Sequence, residues 1–95
     1  MRLQNISLTF EIFRENGHFI AYCKALDLTT QGKTFDEVKR RFEQLVPVFI
    51  NDLKERGTLD EVLSELGWQR TMKNWVAPLK VGEIMEEVRI PCPAA

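Results

Sequence analysis

LTFEIFRENGHFIAYCKAL, residues 8–26, constrains the fold more than any other stretch of this chain. Leu8, Phe10 and Ile12 alternate with Thr9, Glu11 and Phe13, the period of a strand. Asn16-Gly17 then supplies the two positive-φ positions of a type I′ turn, whose twist matches that of the strands it joins. A second run follows from Phe19. It carries Phe19, Ala21, Cys23 and Ala25 on one face and Ile20, Tyr22, Lys24 and Leu26 on the other. Both faces are largely apolar, as in an interior strand or one whose outer face is covered by a partner. The reading is a β-hairpin that must find a helix or further strands to bury its apolar side.

The next stretch, TTQGKTFDEV at residues 29–38, hands the sheet over to a helix. DLTTQG forms a short third strand with its return at Gly32, so hairpin and third strand together span 5–32. Thr34 then serves as a helix N-cap, and Glu37 completes a T-x-x-E capping box. A phosphate loop would need G-x-x-x-x-G-K-[ST]; only GKT is present, which argues against nucleotide binding. From 35 to 56 the residues Val38, Phe42, Leu45, Val46, Phe49, Ile50 and Leu53 recur at helical spacing, the stripe of a long helix lying on a sheet. Pro47 lies away from the centre of that stripe. It marks either a kink convex to solvent or a full break at Val46. Val48 points outward beside it as a small apolar spot.

Gly57 ends the helix, and TLDEVLSELGW repeats the grammar over 58–66. Thr58 and Glu61 make a second capping box, Leu59, Val62, Leu63 and Leu66 the buried face, and Gly67 the C′ position. Trp68 at C″ packs against Val62 or Leu63, a structural role that is favoured over a binding platform. A C-terminal strand region is assigned to 72–91, with a short strand around 73–76 and a second from about Ile84 to Ile90, stopped by Pro91 and Pro93. The fold class is therefore α+β, β-β-β-α-(α)-β, with a small mainly antiparallel sheet packed by one long helix. Ninety-five residues hold one such domain, 1–95, and no second core.

Charge and cysteine content narrow the function. Thirteen basic against 14 acidic residues leave a formal net charge of −1, which argues against the one-sided basic surface of direct DNA binding. Lys39, Arg40 and Arg41 form the one basic cluster, and three consecutive helical residues point in three directions. No run is long enough for a membrane span or a signal h-region, so no membrane association and a cytoplasmic protein are expected. Cys23 reads as a small buried hydrophobe and Cys92, between two prolines, has no ligand-spaced Cys or His.

Catalytic chemistry has few candidates. His18, directly after the turn, would have to serve any triad alone and reads as a polar turn residue. Glu11 in the first strand and Asp27 at the end of the second could be imagined as ligands of a divalent-metal nuclease. The favoured reading leaves them as surface acids, with Asp36 and Glu37 at the helix start and Glu83, Glu86 and Glu87 as a solvated run. No catalytic, cofactor-binding or metal residue is assigned, and no cofactor is expected.

Taken together, NGHFIAYCKALDLTTQGKTFDEVKRRFEQLVPVFI resembles the HicB family of antitoxins. There a strand of the form G-x-[F/Y]-x-A leads through a short segment to T-Q-G-x-T-x-x-E-[A/V] and a long helix. The matching residues are Gly17, Phe19 and Ala21, then Thr30, Gln31, Gly32, Thr34, Glu37 and Val38, and the likeness covers about the first 57 residues. The resemblance implies a fold similar to a truncated RNase H, usually without nuclease activity, that binds a small HicA-like mRNA interferase toxin and covers its active surface. Two departures matter. KALDL stands where the family often has a Pro before the third strand, and the 38 residues after Gly57 leave no room for a helical DNA-reading module.

The expectation is thus a stand-alone, non-enzymatic, HicB-like interaction domain that neutralises a HicA-like toxin. Open sheet edges and the two-sided apolar second strand point to a homo-oligomer. A metal-dependent nuclease and a small-ligand regulator are the alternatives.

Overall fold

A computed structural model describes residues 3–94. The single-domain reading of 1–95 also takes in residues 1, 2 and 95, which lie outside the described residues. The element order is β1 (Glu11–Glu15), β2 (His18–Cys23), β3 (Leu28–Gly32), α1 (Phe35–Glu55), α2 (Leu59–Glu65), β4 (Gln69–Arg70) and β5 (Trp75–Val76). The first three strands form an antiparallel sheet in the order β1-β2-β3, and β4-β5 form a separate two-stranded ribbon. The chain is α+β, as the sequence predicts.

The hairpin forms where Asn16-Gly17 requires it, with φ of 50° and 77° and Glu15 opposite His18. Strand β1 is shorter than expected. Its ladder ends at Glu11 opposite Tyr22, so Cys23, the last residue of β2, pairs only with Leu28 of β3. Leu8 and Phe10 still pack on the core, and the Phe10 ring stacks on Phe42 with centroids 4.6 Å apart.

Helix α1 lies on one sheet face, and the two surfaces close a core of Ala21, Cys23, Leu26, Val38, Phe42, Leu63 and Trp68. The approach is close at one point. A Cβ built on Gly32 would stand 2.9 Å from the Val38 amide nitrogen, so glycine is needed there to seat the helix rather than to make a turn. Thr34 caps the helix, its Oγ1 accepting from the Glu37 amide at 3.1 Å. The other half of the box does not form. The Glu37 carboxylate instead pairs with Arg41 Nη2 at 2.8 Å, one turn along, while Arg41 Nη1 donates to the Gln31 carbonyl of β3 at 2.8 Å.

Helix α1 runs unbroken through Pro47, so there is no break at Val46. It ends at Gly57, φ 71°, where the Gly57 and Thr58 amides bond back to the carbonyls of Lys54 and Leu53. That end takes Thr58 away from its expected job. Its hydroxyl makes no cap bond to α2 and donates instead, at 3.4 Å, to the same Leu53 carbonyl that its amide reaches, so the second capping box is absent. Helix α2 closes at Gly67, φ 93°, with Trp68 N–H bonded to Leu63 O, the 6→1 bond of a Schellman end. Trp68 is buried, and its indole N–H reaches across to the Ala25 carbonyl at 2.7 Å.

Ribbon β4-β5 turns over Thr71–Asn74, and the strand placed near 73–76 is realised as Trp75–Val76. The Gln4 side chain clasps it, donating from Nε2 to Trp75 O at 2.7 Å and accepting at Oε1 from Trp75 N–H at 2.8 Å. The strand expected from Ile84 to Ile90 is not formed. Residues 77–94 carry no regular structure, because an alternating pattern supplies side-chain sidedness but no neighbouring strand to take its backbone bonds.

Candidate protein-interaction face

Among the described residues no helix or strand packs on the face of the sheet opposite α1. The strand register sets its rows: Glu11, Tyr22 and Thr29 lie side by side, then Phe13, Ile20 and Gln31. Phe13 is 50% exposed, and Ile20 and Tyr22 are half-buried although neither belongs to the α1 core. Three apolar side chains on adjacent strands thus form a continuous patch with polar groups at its rim, the anatomy of a contact surface. The apolar outer side of β2 foreseen from sequence holds for Ile20 and Tyr22, whereas Leu26, read on the same side, lies in the turn past the strand's end at Cys23 and is buried in the α1 core.

The turn joining β2 to β3 finishes the rim. Asp27 closes it in the left-handed region, φ 51°, with its amide bonded to Lys24 O at 3.2 Å. The Tyr22 hydroxyl donates to Asp27 Oδ1 at 3.4 Å. Partial burial first, and the Asp27 carboxylate second, hold the Tyr22 phenol above its ordinary ionisation range, with Glu11 adding in the same direction. The structure therefore brings Glu11 and Asp27 to bear on one hydroxyl. Among the described residues no three His, Cys, Asp or Glu side chains gather in a way that could hold a metal ion.

The remaining sequence candidates are dispersed by role. His18 Nδ1 sits 3.2 Å from the Asn16 carbonyl within its own turn. Gly17 makes that turn, Ala21 is buried beneath α1 and Phe19 packs beside it. Thr30 and Gln31 lie in β3, Gly32 seats the helix, and Thr34 and Glu37 begin it. The family-like motif thus builds the scaffold, while Phe13, Ile20 and Tyr22 form the outward face. Cys23 is buried and Cys92 exposed. Val48 is 66% exposed on α1, outward as predicted.

A groove of about 780 Å³ runs beside β1, between residues 7–11 and residues 77–83, and Lys24 and Ala25 also line it. Among the described residues no helix is long and apolar enough to cross a membrane. No protein-family model matches the chain, and no solved structure gives a significant match.

Proposed function

We propose that this chain is a non-enzymatic protein-interaction domain, a HicB-like antitoxin or a relative of one, that binds and neutralises a HicA-like mRNA interferase. The carrying observation is the uncovered sheet face, where Phe13, Ile20 and Tyr22 form one apolar patch on a rigid three-stranded platform. Large, rigid aromatic side chains ringed by polar groups are what a protein partner buries at the centre of an interface. The order of hairpin, third strand and long helix supports the resemblance carried by Gly17 to Glu37.

The test is co-purification of the tagged chain at native expression, followed by assay of whatever small basic protein accompanies it. The reading requires that this protein cuts mRNA alone and is silent when bound. Phe13→Glu should then release it at least a hundredfold, the scale of an interface anchor. Recovery of the chain without such a protein, or a complex indifferent to Phe13, removes the reading.

A divalent-metal nuclease has one observation in its favour, the convergence of Glu11 and Asp27 on Tyr22. It predicts a rise in melting temperature with Mg²⁺ or Mn²⁺ that Asp27→Asn abolishes.

A further inference from the structure

We propose that residues 84–90 are a strand-forming arm that adds antiparallel to the open edge of β1 on a second copy of this chain. The arm's surface is the first ground. Leu79, Val81, Ile84, Met85, Val88 and Ile90 are each between 74% and 99% exposed, a concentration of apolar side chains found nowhere else among the described residues. At roughly 60–120 Å² apiece, Ile84, Met85, Val88 and Ile90 give two arms on the order of 700 Å² of apolar surface, and the receiving surfaces bring the total to roughly 1,400 Å². That is the scale of a specific interface, which buries about 1,200–2,000 Å² in total. The segment stands off the body. The radius of gyration is 17.0 Å and the longest axis 61 Å, where a compact chain of about 100 residues has a radius near 13 Å.

The receiving edge is the second ground. A two-residue hairpin makes Glu15 and His18 a hydrogen-bonded pair, and alternation then does the same for Phe13 with Ile20 and Glu11 with Tyr22. The N–H and C=O of Ile12 and Arg14 therefore point outward, and among the described residues no strand lies beyond them. The opposite edge is treated differently, since Arg41 covers the Gln31 carbonyl of β3. One edge is guarded and the other is left as a template.

Register supplies the third ground. Setting Val88 opposite Ile12 in an antiparallel pair places Ile90 opposite Phe10, Arg89 opposite Glu11 and Glu86 opposite Arg14. Two apolar pairs and two opposite-charge pairs fall along the one ladder, the arrangement that stabilises cross-strand neighbours. The parallel alternative, with Ile84 opposite Ile12, keeps Glu86 opposite Arg14 but sets Glu83 against Glu11 and Glu87 against Glu15, so the Arg89–Glu11 pair is the one that only antiparallel addition makes. Residues 77–83, the arm's root, form the wall of the groove that faces residues 7–11, so the arm leaves each copy on the β1 side, and two copies meeting edge to edge about a two-fold axis exchange arms reciprocally.

This inference uses the edge of β1, whereas the proposed antitoxin role uses the sheet face, so either can fail without the other. The test is sedimentation velocity at micromolar concentration on the full chain, on Arg14→Glu, on Glu86→Arg and on an equimolar mixture of the two variants. The full chain should sediment at twice its 11.1 kDa. Each variant alone sets like charges opposite one another in both arms and should associate at least tenfold more weakly. The mixture should recover a heterodimer. There the unchanged Glu86 of the first variant meets the unchanged Arg14 of the second, and the two substituted side chains, opposite in charge, meet each other. Far-UV circular dichroism separates dissociation from misfolding for Arg14→Glu, and residue 86 stands clear of the folded body. A monomeric full chain, a dimer indifferent to both substitutions, or a mixture that stays monomeric overturns the proposal.

Discussion

Tyr22 is the one tyrosine in the chain, so its ionisation can be followed without interference. Its raised phenol pKa means that the folded state holds the proton more tightly than the unfolded chain does. The associated stability is intact below the unfolded value of about 10 and is lost as pH climbs through the folded one. Asp27→Asn removes the second cause and leaves the first, so the phenolate absorbance titration should shift down only part of the way to the ordinary value. Gly32 gives a different kind of prediction. An alanine there drives its methyl group against the Val38 backbone, which cannot swing aside as a side chain would. Gly32→Ala should cost about 1–3 kcal/mol in denaturant unfolding, although Gly32 has no left-handed φ to demand glycine. Sequence alone offers the turn as the reason for this glycine. The close approach becomes visible only when the helix is in place above it.

Among the elements, the two T-x-x-E motifs test how far local grammar reaches. Thr34 and Thr58 are equivalent as sequence, yet only Thr34 accepts from its helix amide. Thr34→Ala should cost about 1 kcal/mol, and Thr58→Ala distinctly less, in thermal or urea melts. The difference arises because the chain end of α1 competes for the Thr58 hydroxyl. A capping motif that follows directly on another helix's last carbonyls has two claimants. Pro47 is the other element-scale case. It sits exposed inside a continuous helix and leaves Glu43 O without its amide donor. Pro47→Ala should stabilise by roughly 1–2 kcal/mol, the helix gain less the freedom returned to the unfolded chain. The hairpin, the third strand and both helices were legible because turn residues and periodicity act locally. The strand expected from Ile84 to Ile90 was legible only as a pattern, since a strand also needs a neighbour that sequence does not locate.

Across the whole molecule, the same limit explains what was seen of the candidate face. The apolar outer side of β2 could be read from Ile20 and Tyr22, and the two-residue turn at Asn16-Gly17 sets Phe13 opposite Ile20, but sequence does not locate which element covers that side. Nor does any sequence signal announce Gln4. Its side-chain amide takes both backbone groups of Trp75, as a neighbouring strand would. Gln4→Ala should cost about 1 kcal/mol and speed hydrogen exchange at the Trp75 amide. That clasp joins positions separated by 71 residues, whereas the hairpin and helix contacts are short-range. Closing so long a loop is slow and entropically expensive, so the clasp belongs among the last events of folding and the first of unfolding. The amino-terminal segment then works as a latch fastened after the body is built, and removing it should quicken unfolding while leaving the folding rate unchanged.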